Sequence, residues 1–233
     1  MSTALTPETS NRENQVTFQN KVEFQAWPKT SRFFRDIVIT EKIDGTNAAV
    51  QIIKSDNLSH WKHEDGTRTF FDPQPLDGVM LGGEHYVVYA QSRNKLIFPG
   101  QDNYGFAGWV QANAAQLVEF LGEGTHFGEW WGSGIQRGYG LTKGEKHFSL
   151  FNTHRFENIQ AESDDLVRCV PILYQGPMVE KEITDALNYL RDCGSLAVHT
   201  FMNPEGICIY HTSSRLVQKV TLDNNDAGKW EHL

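Results

Sequence analysis

Apolar residues recur along the chain at two spacings, and polar stretches rich in turn-forming residues separate them. Short runs at 22–26, 36–43, 47–53 and 85–91, mixed in β-branched and aromatic residues, predict strands. Phe106, Val110, Ala114, Leu117, Val118 and Leu121 fall on one helical face, which predicts an amphipathic helix beginning near Asp102 or Asn103 and closing near Gly122. Strands at 125–131, 147–151 and 167–173 follow. Val179, Ile183, Leu187 and Leu190 predict a second helix, ended by Gly194, ahead of strands at 206–210 and 215–221. The polar stretch from Ser55 to Gly83, with turn signals at Asp65-Gly66, Asp72-Pro73 and Gly82-Gly83, predicts a mobile loop. Residues 1–15 carry no apolar period and predict a flexible N-terminal segment. This mixture, without internal repeat, indicates an α+β fold of antiparallel sheets flanked by helices.

Composition narrows the picture. With 233 residues, 39% hydrophobic and 12% aromatic, the chain can bury one sizeable core. No apolar run approaches the roughly 20 residues needed to cross a bilayer, and the first residues lack the basic and apolar regions of a secretion signal, so a soluble, cytoplasmic protein is expected. Cys169, Cys193 and Cys208 are odd in number and widely spaced, which suggests neither a disulfide framework nor a zinc cluster. A net charge of −8 argues against a broad, non-specific grip on nucleic acid. A local basic groove remains open, because Arg93, Lys95, Arg137, Lys143, Lys146, His147 and Lys219 lie near the segments that carry chemistry, while acids gather at 157–165 and at Asp223, Asp226 and Glu231.

Glu41-Lys42-Ile43-Asp44-Gly45-Thr46-Asn47 is the most informative of those segments. A strand-like run precedes Lys42 and another follows Asn47, which predicts a hairpin with the lysine at its mouth. A lysine held there by burial, beside a metal-bound phosphate, can become a nucleophile, although free lysine titrates near roughly pH 10.4. Gly45 is expected to supply a positive φ angle, and Asn47 to bond across the turn. A solvated surface hairpin with a Lys42–Asp44 pair would use the same residues.

Lys42-Ile43-Asp44-Gly45 resembles the nucleophile motif of the covalent nucleotidyltransferases, the superfamily of ATP-dependent DNA and RNA ligases and mRNA capping enzymes. Phe127-Gly128-Glu129-Trp130 resembles its third motif, and Phe148-Ser149-Leu150-Phe151-Asn152 the aromatic segment after it. Pro204-Glu205-Gly206-Ile207-Cys208-Ile209 and Val217-Gln218-Lys219-Val220 resemble the fourth and fifth. The form Lys-x-x-Gly-Thr-Asn is similar to the RNA ligases related to the bacteriophage double-strand RNA repair ligase. The resemblance implies a nucleotidyltransferase (ATP-grasp-like ligase) catalytic domain that uses ATP and Mg2+, with Lys42 as nucleophile. It further implies Lys219 at the α-phosphate as a catalytic acid, and nucleotide contacts from Glu41, Asp44, Gly45, Asn47, Arg93, Glu129, Phe151 and Lys219. Glu205 and Glu129 would hold the metal. Two positions depart from the pattern: Asn152 stands where relatives carry aspartate, and Val217 where many carry the first lysine of Lys-x-Lys.

The reaction implied is ATP-dependent sealing of RNA, or of an RNA-containing duplex, between 5′-phosphate and 3′-hydroxyl ends through a lysine–AMP intermediate, as in RNA repair. An ATP-dependent DNA ligase, a GTP-dependent capping enzyme and a catalytically silent nucleotide- or nucleic-acid-binding domain are the alternatives. Because Leu233 follows soon after Lys219, residues 16–233 are expected to form a single minimal nucleotidyltransferase domain without a C-terminal appendage. No membrane association is expected.

Overall fold

The structure, a computed structural model, describes residues 24–55 and 75–223. Residues 1–15 and most of the predicted loop, including Asp65-Gly66 and Asp72-Pro73, lie outside them, as do Asp226 and Glu231. Contacts divide the chain at Ser31. Residues 24–31 are exposed and contain neither helix nor strand, so the strand expected at 22–26 is not formed where it is described.

From Arg32 onward the described chain builds two sheets. The smaller contains β1 (Asp36–Lys42), β9 (Ile172–Pro177), β10 (Gly206–His211) and β11 (Leu216–Thr221) in the order β11-β10-β1-β9. The larger contains β2 (Thr46–Ser55), β3 (Asp77–Leu81), β4 (Glu84–Ser92), β6 (Gly124–Gly132), β7 (Lys146–Leu150) and β8 (Arg168–Cys169) in the order β3-β4-β2-β6-β7-β8, with β5 (Leu96–Ile97) paired to β4. Pairing is antiparallel except between β7 and β8.

Two expectations change here. The predicted β1–β2 hairpin does not form, because β1 and β2 belong to different sheets and residues 43–45 carry the chain from one to the other. The predicted strand at 167–173 is likewise divided into β8 and β9, again in different sheets. Pro171 lies at that division, and its missing N–H cannot serve a ladder, while its carbonyl accepts from the Glu41 amide at 2.9 Å. Both crossings are tied down by one cluster, in which Ile43 and Val170 pack with Trp131 and Tyr139.

Elsewhere the pattern is realised with smaller differences. The helix expected from 102 to 122 is two, α1 (Phe106–Ala112) and α2 (Ala114–Leu121), parted at Asn113, whose amide side chain bonds back to Trp109 O at 2.8 Å. Such back-bonding competes with the helical ladder. Both helices cover the inner face of the larger sheet, where Phe106, Val110, Leu117 and Leu121 meet Val50, Val88, Trp130 and Phe148. A short helix, α3 (Ile159–Glu162), adds Ile159 to the same core. Helix α4 (Glu180–Cys193) packs Ala186 and Leu190 on Ile37, Ile39, Ile207 and Ile209 of the smaller sheet and ends at Gly194 as expected. The polar stretch ending at Gly83 contains β3, which the sequence pattern hid. Gly82 and Gly83, at φ 59° and 83°, form the two-residue turn joining β3 to β4.

Candidate active site at the meeting of the two sheets

Lys42 is the last residue of β1, and its strand partner in β10 is Gly206. That register brings Glu205 beside it, and Lys42 Nζ forms an ion pair with Glu205 Oε2. Glu129 reaches the same place from the larger sheet. It pairs with Asn47 across β2 and β6, and its Oε1 accepts from the Gly45 amide at 3.1 Å. Asp44 lies close enough for its charge to act on Glu129. Its amide donates to Tyr139 Oη at 2.9 Å and its Oδ2 accepts from Arg137 Nε at 3.1 Å.

Gly45 is required for a reason other than the one its sequence context suggests. It is not among the positive-φ glycines. A Cβ there would lie 2.5 Å from Trp130 O and 2.7 Å from Trp131 Cβ, so the crossing chain passes too close to β6 for any side chain. The absence of a side chain lets the Gly45 amide approach Glu129.

The electrostatics follow from this crowding. Burial pushes the Glu129 carboxyl up from 4.5 to about 7, aided by the charges of Glu205 and Asp44 and opposed by Lys42 and the Gly45 amide. Burial also raises the Cys208 thiol, which feels the charges of Lys42, Glu205, Glu129 and Lys219 together. Cys208 pairs with Thr40 on one side and Lys219 on the other, so Lys219 projects from the same face of the smaller sheet as Lys42. Two strand spacings place the Lys219 backbone roughly 10 Å from that of β1.

The remaining predicted residues divide into those near this centre and one turned from it. Asn47 shares its strand row with Glu129. Ala48 pairs with Ser92, so Arg93, exposed in the turn between β4 and β5, comes at the same end of the sheet. Phe151 follows β7 and its amide bonds to Phe127 O at 3.0 Å. At 43% exposure its ring is no core residue and is free to stack. Asn152 Oδ1 accepts from the Arg155 amide at 3.3 Å and thereby serves a turn. Glu41 is the exception: successive strand residues face opposite ways, and its buried carboxylate accepts from the amides of Leu196 and Ala197 at 2.8 and 3.1 Å. Burial raises that carboxyl against these bonds. Its side chain therefore supports the 195–198 loop on the face opposite Lys42. Arg137 and Tyr139 are additions. Sequence presents Arg137 only as one cation among several, since nothing in its spacing ties it to Asp44.

Among the described residues, no three His, Cys, Asp or Glu side chains converge closely enough to ligate one ion directly. Hard carboxylate oxygens suit a divalent cation that keeps its water, as magnesium does, and Glu129 and Glu205 are the residues that would hold it through that water. Among the described residues, no helix is long and apolar enough to cross a membrane.

Two antiparallel sheets flanked by helices, meeting at a lysine with a carboxylate from each side, are the α+β fold expected of a nucleotidyltransferase. The chain belongs to the RNA ligase family, which residues 35–230 match. No curated protein matches it. Among solved structures it is similar to a Naegleria gruberi RNA ligase, in a lysine-to-alanine variant with ATP and manganese, at 16% identity and TM-score 0.52, covering 81% of this chain and 50% of the other. An arginine-to-alanine variant of that ligase with ATP and manganese matches at 18% identity and TM-score 0.51, covering 84% and 52%. The chain thus spans about half the length of these ligases, and at such identity the likeness concerns the fold.

Proposed function

We propose that the protein is an ATP-dependent RNA ligase acting through a covalent lysine–AMP intermediate. The observation that carries this reading is the contact of the Lys42 amine with Glu205, at a point where both also act on the buried Glu129 carboxyl. Attack requires the neutral amine. Lys42 Nζ forms a bond to the α-phosphorus of ATP as the bond to pyrophosphate breaks. The AMP then passes to an RNA 5′-phosphate, and a 3′-hydroxyl attacks that phosphate, joining the strand and releasing AMP. A hydrated magnesium or manganese ion near the carboxylates would supply positive charge beside the amine and offset charge developing on the phosphate. Lys219 offers a point charge to the α-phosphate, Phe151 a face for the base, and Arg93 a planar fork for the phosphate of the RNA end. Residues 16–233 form the nucleotidyltransferase domain in this reading.

The test is incubation with labelled ATP, GTP or NAD and magnesium, followed by denaturing electrophoresis. ATP alone should label the protein through an acid-labile, alkali-stable bond, and Lys42→Ala should abolish the label. Persistent labelling of that variant, or label from GTP instead of ATP, would overturn the assignment. For substrate choice, Asn47 has both a donor and an acceptor to read a 2′-hydroxyl, so sealing should require ribose at the 3′-hydroxyl end and tolerate DNA at the 5′-phosphate. Equal sealing of an all-DNA nick would refute that preference and leave the Lys42 chemistry standing.

A further inference from the structure

Asp44 is held from two sides by a single turn of chain that no motif includes. Tyr139 Oη accepts from the Asp44 amide, and Arg137 Nε donates to the Asp44 carboxylate. The turn that supplies both is unusual in its backbone: Gln136, Gly138, Tyr139 and Gly140 have φ of 45°, 66°, 52° and 71°. Left-handed conformations are uncommon for side chains such as glutamine and tyrosine, and they persist where surrounding structure imposes them. The same guanidinium reaches further. Its Nη1 donates to Asn203 O at 3.1 Å, Asn203 Oδ1 at 3.2 Å and Pro204 O at 3.2 Å, immediately before Glu205. Its Nη2 pairs with Asp223, just beyond the strand that borders Gly206.

We infer that Arg137 is a positioning residue for the reaction, fixing Asp44 against the backbone that presents Glu205 and so setting the cage in which the Lys42 amine stands. The inference rests on the proposed ligase reading. A fork suits this task because its nitrogens can serve a carboxylate and backbone carbonyls in one plane, whereas a lysine ammonium is a compact point charge on a flexible stem. The main-chain carbonyls of residues 203 and 204 carry only partial negative charge, and they accept from the guanidinium as dipoles. Their joint capture with Asp44 therefore ties two loops that are distant in sequence.

The experiment measures single-turnover formation of the protein–AMP bond in the parent, Arg137→Ala and Arg137→Lys, with ATP varied and magnesium saturating. Misplacing reacting groups slightly costs rate more than affinity, so Arg137→Ala should slow the step about tenfold or more at saturating ATP, with KM for ATP changed by less than about threefold. Arg137→Lys keeps the charge and stem, should melt close to the parent, and should still lose about fivefold or more in rate because one ammonium cannot replace the fork. A purely structural role would lower the melting temperature and leave the saturating rate of the folded protein alone. Arg137→Lys reacting at the parent rate overturns the inference, even if Arg137→Ala fails to fold. A parent that never acquires label sinks the ligase reading itself, whereas a labelled parent with an indifferent Arg137→Lys variant sinks only the role of Arg137.

Discussion

A methyl group at position 45 would have to displace the carbonyl of Trp130, 2.5 Å away, and the Cβ of Trp131. Gly45→Ala is therefore expected to cost about 1–3 kcal/mol, as overpacking does, and to pull the Gly45 amide from Glu129. Urea unfolding measures the first effect, and the rate of protein–AMP formation should fall with it. Glu129 gives a pH prediction. Its folded-state value near 7 is above its ordinary 4.5, so the native protein holds a proton that the unfolded chain releases. Stability from this group is complete below about pH 4.5 and is lost as the pH rises through about 7, by at most roughly 3 kcal/mol. In metal-free buffer, Glu129→Gln should unfold at higher urea than the parent at pH 8 and show little difference at pH 4. No gain at pH 8 would mean that the carboxyl is ionised at little cost.

Along β7 and the residue after it, two phenylalanines three positions apart have opposite duties. Phe148 is fully buried among Phe106 and Trp109, while Phe151 is 43% exposed on the face that carries Glu129. Phe148→Ala should cost about 3–5 kcal/mol of stability by cavity formation. Phe151→Ala should leave stability nearly unchanged and weaken ATP binding by about 1–3 kcal/mol, read as a rise in KM of roughly 5- to 150-fold. At this scale much was legible in the sequence. The periods at 36–43, 85–91 and 125–131 gave strands because one face of each packs a core, and Gly194 marked the end of α4. Other boundaries were hidden by non-local partners. Asp77–Leu81 has no alternating apolar face strong enough to announce a strand, and it is one because Val88 and Tyr86 of β4 supply its ladder. Continuity of apolar residues through Val170 and Pro171 concealed a change of sheet.

For the whole molecule, the proposed ligase reading and a net charge of −8 together predict that RNA is held by few cations, with Arg93 and Lys219 the expected ones. Two or three phosphate contacts predict a shallow salt dependence, with a slope of about −2 in log affinity against log salt for a short single strand. A fluorescence titration between low and physiological salt measures it, and a slope near −6 would require a basic surface beyond this face. The motif residues Lys42, Glu129, Glu205 and Lys219 were readable one by one because each has a chemical signature. What brings them together was not, because the tie among Arg137, Asp44, Asn203 and Pro204 has no sequence period, and the crossing at 43–45 looks like an ordinary turn until the sheets are seen. Lys42 ends one sheet while Glu129 belongs to the other, so the gap between nucleophile and carboxylate is a gauge of how the two layers are set against each other. A substitution that reshapes the Ile43, Val170 and Trp131 cluster therefore acts on the distance between the amine and Glu129 while touching neither.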